Sequence, residues 1–283
     1  MKNIIPNLGG HVSCAGGASN AVRNAQALGM KTFQFHPTSP RQWKANVPPQ
    51  KEIDNFVALY KQHDMKSCYI HAPYLINLAS VDAELQKKSI QNLSMQLTIG
   101  DALGVTGVVF HLGSSKGGNH ADQIKQQAQL IHDILNTHKG ACKIILENSA
   151  GGGDKIGSKI EELGILFHAI NHKKLGVCID TAHIFEAGVL EYTKAGVEQF
   201  KKDFESAIGL QHLACFHVND SKTAHGSCRD NHANLGDGLI GIKWLQLLAD
   251  DKDFRNADWV LEVPGIHGEG PDEENMTRLR NLF

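Results

Sequence analysis

Six apolar runs in this chain end in residues that bind metal ions. Cys68-Tyr69-Ile70 leads to His71, Val108-Val109-Phe110 to His111, and Ile144-Ile145-Leu146 to Glu147. Val177-Cys178-Ile179 leads to Asp180, Cys215-Phe216 to His217, and Trp259-Val260-Leu261 to Glu262. Packing alone does not require a buried strand to end in an ionisable group, and six such endings point to a shared task. His183, three residues beyond Asp180 on what reads as a strand-to-loop turn, joins the set. So do Asp230 and His232, which an extended segment would turn to one side. The nine donors are nitrogen and oxygen only, a mixture that suits zinc or manganese, and the imidazole content favours zinc. Nine exceed what one ion with an open position can take. Shared among three ions, with a bridging carboxylate, they leave room for water and substrate. Neighbouring divalent ions are suited to in-line displacement at phosphorus.

Donors spread over almost 200 positions need a scaffold that gathers them. Strand-like runs are expected at Gly10 to Cys14, Lys31 to His36, Ser67 to His71, Gly107 to His111, Lys143 to Glu147, Leu175 to Asp180, Ala214 to Asn219 and Asp258 to Val263. Helical period lies between them: Ala18 to Leu28, Gln50 to His63, Asp82 to Leu103 with Ser80 as its cap, Asp122 to His138, Ser158 to Asn171, Thr193 to Leu210, Ile242 to Ala249 and Glu273 to Leu282. Eight such alternations predict a (β/α)₈ TIM barrel, with residues 1–283 as one domain. All strand C-termini then open on one mouth. A doubly wound open sheet would spread the same endings along a line.

Composition narrows the remaining choices. The formal charge of −2 argues against a chain that coats nucleic acid by cation content. Three divalent ions would change it to about +4, with the gain at one place. The six cysteines include no Cys-x-x-Cys pair, and Cys68, Cys142, Cys178 and Cys215 read as buried thiols. His63, His132, His138, His168 and His172 fall in helical stretches, where surface or helix-end placement is expected rather than a role in chemistry. Gly151-Gly152-Gly153 lacks the Gly-Lys-Ser/Thr ending of a phosphate loop and reads as a βα loop. No apolar run has the roughly 20 residues that cross a bilayer, and Met1 to Gly10 lacks a leader pattern. A soluble cytoplasmic monomer with no membrane association is expected.

The flanks of these donors resemble one known family. His71-Ala-Pro-Tyr-Leu-Ile-Asn, Ile-Leu-Glu147-Asn-Ser-Ala-Gly, Gly-Val-Cys-Ile-Asp180-Thr-Ala-His183, Phe-His217-Val-Asn-Asp-Ser-Lys and His-Gly-Ser-Cys-Arg-Asp230-Asn-His232 are similar to endonuclease IV. The likeness runs from Gly10-His11-Val-Ser to Leu-Glu262. It implies a trinuclear zinc phosphodiesterase of base-excision repair, which cuts double-stranded DNA 5′ to an abasic site through a metal-bridging hydroxide and trims blocked 3′ ends. The 5′ cut would leave a 3′-hydroxyl and a 5′-deoxyribose phosphate. It would act at the nucleoid.

The resemblance also implies roles. Glu147 would bridge two zincs, with His71 and His111 on one and Asp180, His217 and Glu262 on the other. His183, Asp230 and His232 would hold the third, and Glu262 would lie close to the attacking hydroxide, so that Glu147 and Glu262 are the catalytic carboxylates. Arg41, Gln42, Tyr74 and Leu75 would enter the duplex and hold the abasic nucleotide out of the stack. The bland alternative has Trp43 and Tyr74 capping the barrel mouth. Departures from the family's pattern fall at Asn231, where it has arginine, at Asp237, where it has glutamate, at Val263-Pro264 and at His36-Pro37-Thr38. None changes a donor.

Two rival readings differ in testable ways. A sugar isomerase or epimerase of the same architecture needs one metal, for which Glu147, Asp180, His217 and Glu262 suffice. The other five donors would then be surplus. A damaged-DNA binder without turnover would keep the donors and lack the reaction.

Overall fold

A computed structural model describes residues 5–283; residues 1–4, part of the segment read for a leader, lie outside the described residues. The eight barrel strands are β1 (Leu8–His11), β2 (Thr32–Phe35), β3 (Ser67–His71), β4 (Gly107–His111), β5 (Lys143–Glu147), β6 (Leu175–Asp180), β7 (Leu213–Val218) and β10 (Asp258–Leu261). They close in the order β1-β10-β7-β6-β5-β4-β3-β2, every pairing parallel. Two further short strands, β8 (Asp220–Ser221) and β9 (His232–Ala233), pair antiparallel outside the barrel. The helices are α1 (Ala18–Ala27), α2 (Gln50–Gln62), α3 (Ala83–Leu103), α4 (His120–Thr137), α5 (Ile160–Ile170), α6 (Thr181–Glu186), α7 (Lys194–Ala207), α8 (Ile242–Asp250) and α9 (Glu273–Arg280). This is the expected (β/α)₈ TIM barrel.

Strand alternation explains how the interior is filled. Outward residues such as Phe33, Ile70, Val108, Leu146, Ile179, Phe216 and Trp259 join the helices in the main core. Inward residues form a separate cluster of Tyr69, Val109, Ile145, Cys178, Cys215 and Val260. Each lies two residues before a predicted donor, so the period of two that buries this plug also turns His71, His111, Glu147, Asp180, His217 and Glu262 into the mouth. Tyr69 is satisfied inside the barrel by donating its hydroxyl to Asp258 at 2.6 Å. Gly9 allows closure between β1 and β2, because a Cβ there would lie 1.7 Å from the Thr32 carbonyl oxygen.

Several local expectations need correction. The first strand runs from Leu8 to His11, not from Gly10 to Cys14, because Gly9 and Gly10 carry no apolar side chains to mark it. Asp82 caps α3 in place of Ser80: its carboxylate accepts from the Glu84 and Leu85 amides at 2.9 and 3.1 Å, whereas Ser80 accepts from Asp82 itself. His183 lies on the short helix α6, not on a loop turn. The cysteines are all free; Cys68, Cys142, Cys178 and Cys215 are buried, Cys14 half-buried and Cys228 exposed. Gly151, Gly152 and Gly153 all have positive φ in the loop after β5, as a non-phosphate βα loop allows.

Candidate metal centre

All nine predicted donors meet at the C-terminal mouth of the barrel. Their ligand atoms form three linked groups, each within 4.8 Å: His71, His111 and Glu147; Glu147, Asp180, His217 and Glu262; and Asp180, His183 and His232. Glu147 belongs to the first and second groups, and Asp180 to the second and third. Asp230 completes the third, with its two oxygens 3.2 Å from His183 Nε2 and 3.3 Å from His232 Nε2.

Local structure aims each side chain. Asp180 Oδ1 caps α6 by accepting from the Ala182 and His183 amides at 2.8 and 2.9 Å, which folds His183 back over the mouth. Asp180 Oδ2 accepts from Asn219 Nδ2 at 2.6 Å and faces His232 Nε2 at 3.5 Å. Glu186, at the end of α6, accepts from Ser221 Oγ at 2.6 Å, Thr223 Oγ1 at 3.0 Å and the Asn231 amide at 3.2 Å. The loop bearing Asp230 is thereby tied to the helix bearing His183. Asp220 accepts from the amides of Gly236, Gly238, Ile240 and Gly241 between 2.8 and 3.2 Å and so shapes the next loop. Asp237, in that loop, pairs outward with Arg278 at 2.8 Å.

The rear nitrogens of three histidines determine what their front nitrogens can do. His71 Nδ1 lies 2.7 Å from the Ala72 carbonyl, His183 Nδ1 2.9 Å from that of Asn148, and His232 Nδ1 3.3 Å from that of Glu262. A carbonyl oxygen only accepts, so each Nδ1 carries the hydrogen. In the neutral rings the Nε2 atoms are bare, and each faces carboxylate oxygen: His71 toward Glu147 at 3.2 Å, His183 toward Asp230 and His232 toward Asp180 and Asp230. His183 Nε2 and His232 Nε2 are buried without a hydrogen-bond partner. Lone pairs converging on lone pairs, with orphaned nitrogens, are what a cation satisfies, and the residues present fit divalent metal.

The donors also set one another's titration. Burial pulls His217 down, but Glu262 and Glu147 more than reverse this and hold it well above its usual value. His183 is likewise raised against burial by Asp180 and Asp230, and His71 by Glu147 and Glu262. Burial would raise Glu147 and Glu262, yet His111 and His217 hold the first, and His217 and His11 the second, well below the carboxylate range. Asp230 is also lowered, by His183 and His232 against burial.

A cavity of about 680 Å³ opens above these donors, lined in part by Tyr74, His111, His183, His232 and Glu262. Tyr74 is 59% exposed at its rim, its ring centroid 5.6 Å from those of His71 and His111. Leu75 is half-buried, and Arg41 and Gln42 are exposed. Trp43 packs on the main core, as the capping alternative has it, and its carbonyl accepts from Asn92 at 2.7 Å.

Sequence reasoning gave three polar residues here no role at the site. His11 and Gln34 face inward from β1 and β2, so every barrel strand carries a polar side chain at the mouth at its C-terminal end or, for β10, just past it. His36, just past β2, places its ring centroid 4.5 Å from that of His11 and donates from Nδ1 to the His71 carbonyl at 2.9 Å. Burial beside His11 and His71 lowers it to about 2. The signal available for His11 was the strand end that the glycines hid. Gln34 lies among strand-like aromatics with no mark of its own.

Comparison with known proteins agrees with this architecture. A family profile described as xylose isomerase-like TIM barrel matches residues 22–282. The apurinic-apyrimidinic endonuclease 1 of Saccharomyces cerevisiae is 37% identical over 270 residues, 94% of this chain and 73% of the yeast protein. A probable endonuclease 4 of Nitratidesulfovibrio vulgaris is 34% identical over 280 residues, covering 98% of this chain and 99% of its own. The crystal structure of endonuclease IV from Thermus thermophilus superposes with a TM-score of 0.83 at 31% identity, over 98% of both chains. With a family profile over residues 22–282 and relatives of 31–37% identity over nearly the whole chain, the chain belongs to the endonuclease IV family of xylose isomerase-like TIM barrels.

Proposed function

We propose that this protein is a DNA-repair endonuclease that hydrolyses the phosphodiester 5′ to an abasic site, leaving a 3′-hydroxyl and a 5′-deoxyribose phosphate, with three zinc ions per chain. The observation that carries this reading is the set of bare imidazole nitrogens facing carboxylates in three linked groups. His71, His111 and Glu147 would hold one ion, Glu147, Asp180, His217 and Glu262 the second, and His183, Asp230 and His232 the third. When bound, the ions supply charge stabilisation for in-line displacement at phosphorus. Manganese is the alternative at any of these positions.

The chain's own residues supply the rest. Glu147, fully buried, would be shared by the first two positions, and Glu262, whose Oε2 lies 3.1 Å from His217 Nδ1, lines the cavity. Tyr74 and Leu75 fill the space left beside an extruded nucleotide, and Arg41 and Gln42 reach the duplex from the neighbouring loop. An abasic residue has the least stacking to lose, so capture is easiest there. The same open mouth would admit a damaged 3′ end, which supports trimming of blocked termini. Among the described residues no helix is long and apolar enough to cross a membrane. A monomer acting on nucleoid DNA in the cytoplasm completes the reading. A sugar isomerase would leave His71, His111, His183, Asp230 and His232 without a task.

The test is incision of a duplex carrying one stable abasic analogue by zinc-loaded protein, with the new ends identified. A single 5′ cut leaving a 3′-hydroxyl is expected. Uncut duplex from protein shown to hold its metals would overturn the reading, and turnover of a keto-sugar would put the isomerase in its place.

A further inference from the structure

Gln34, fully buried on β2, reaches across the barrel to His217 of β7 and to Glu262 just past β10. One end of its amide lies 2.5 Å from Glu262 Oε1 and the other 3.0 Å from His217 Nε2. A carboxylate oxygen can only accept, so the amide nitrogen must be the end at Glu262, and the amide oxygen faces His217. An amide oxygen also only accepts. His217 Nε2 must therefore carry its hydrogen, which leaves Nδ1 as the nitrogen that binds a cation. Nδ1 lies 3.0 Å from Glu147 Oε1 and 3.1 Å from Glu262 Oε2. The contact to Glu262 Oε1 leaves Oε2 turned toward that same point, and His11 Nδ1 closes the cage 3.1 Å from the amide nitrogen.

We infer that Gln34 is a positioning residue of the metal centre, its single amide locking His217 with Nδ1 toward the second metal position and aiming Glu262 Oε2 at that position. His71, His183 and His232 are held by backbone carbonyls, which no side-chain substitution removes. His217 alone among these four depends on a side chain, so the second position is the one that a point change on β2 can release. The inference rests on the metal-centre reading.

The test combines long-range ¹H–¹⁵N spectra of the histidine rings with zinc competition against a chromogenic chelator, on wild type, Gln34→Leu and Gln34→Glu. Zinc-loaded wild type should show His217 protonated on Nε2 and metal-bound through Nδ1. Both variants should lose about 10- to 100-fold in affinity at one of three zinc positions and keep the other two. Gln34→Glu preserves volume and an acceptor toward Nε2 but sets a second carboxylate against Glu262, so a purely space-filling role would spare it. Metal on His217 Nε2 in wild type, or wild-type affinity at all three positions in both variants, would overturn the inference while leaving the metal centre standing. Wild type that takes up no zinc would instead overturn the metal centre, and the inference with it. The wild-type spectrum decides even if a variant does not fold.

Discussion

Glu147 is the residue on which the candidate centre turns, since its two oxygens face four histidine nitrogens from three strands and a helix. Glu147→Gln keeps the volume but replaces one acceptor oxygen with a donor. Incision is expected to fall by at least about 10²-fold, in line with the loss of one charge-stabilising group, while the circular dichroism of the barrel is unchanged. Turnover within a few-fold of wild type would remove Glu147 from the bridging role. Tyr74 tests the rim of the cavity. Tyr74→Ala should weaken binding of an abasic duplex by about 1–3 kcal/mol, the scale of one base–aromatic stack, and leave zinc content untouched. Equal affinity for the duplex would return Tyr74 to a capping role.

At the scale of elements, legibility followed the density of side-chain information. β3, β4, β5 and β6 have the bounds expected of them, because each centres on an apolar run buried on both faces and stops at a donor. Resemblance to endonuclease IV added roles that spacing alone left open. α6 escaped notice because six residues are too few to show a period and its residues read as a ligand motif. The β8–β9 pair escaped for a similar reason, with two residues per strand. Yet that pair carries His232, and the adjoining loop is held by Asp220. Asp220→Ala would leave four loop amides without their acceptor, that of Ile240 buried and the others partly so, at a cost of roughly 1–3 kcal/mol, and should loosen His232. Thermal unfolding with zinc counting checks it: the expected variant is less stable and holds its third zinc weakly, whereas wild-type stability would show that the loop holds itself.

Across the whole molecule, fold and chemistry are separable. The main core lies between barrel and helices, and the inner plug closes the barrel beneath the donors, with no donor in either cluster. A chelator should therefore lower the melting temperature without abolishing the fold. Zinc at a hundredfold excess over its dissociation constant contributes about 2.7 kcal/mol per site, worth roughly 5 °C each in a chain of this size. An unchanged melting temperature after chelation would mean that the donors hold no tight metal. The formal charge of −2 provides little non-specific attraction to a polyanion.

A three-metal centre is tested most simply by the number of zinc ions per chain, counted by elemental analysis as zinc is restored to metal-free protein and incision of an abasic duplex is followed in parallel. Three should bind, with incision appearing only as the third position fills. Full incision with a single zinc per chain would contradict the three-metal centre.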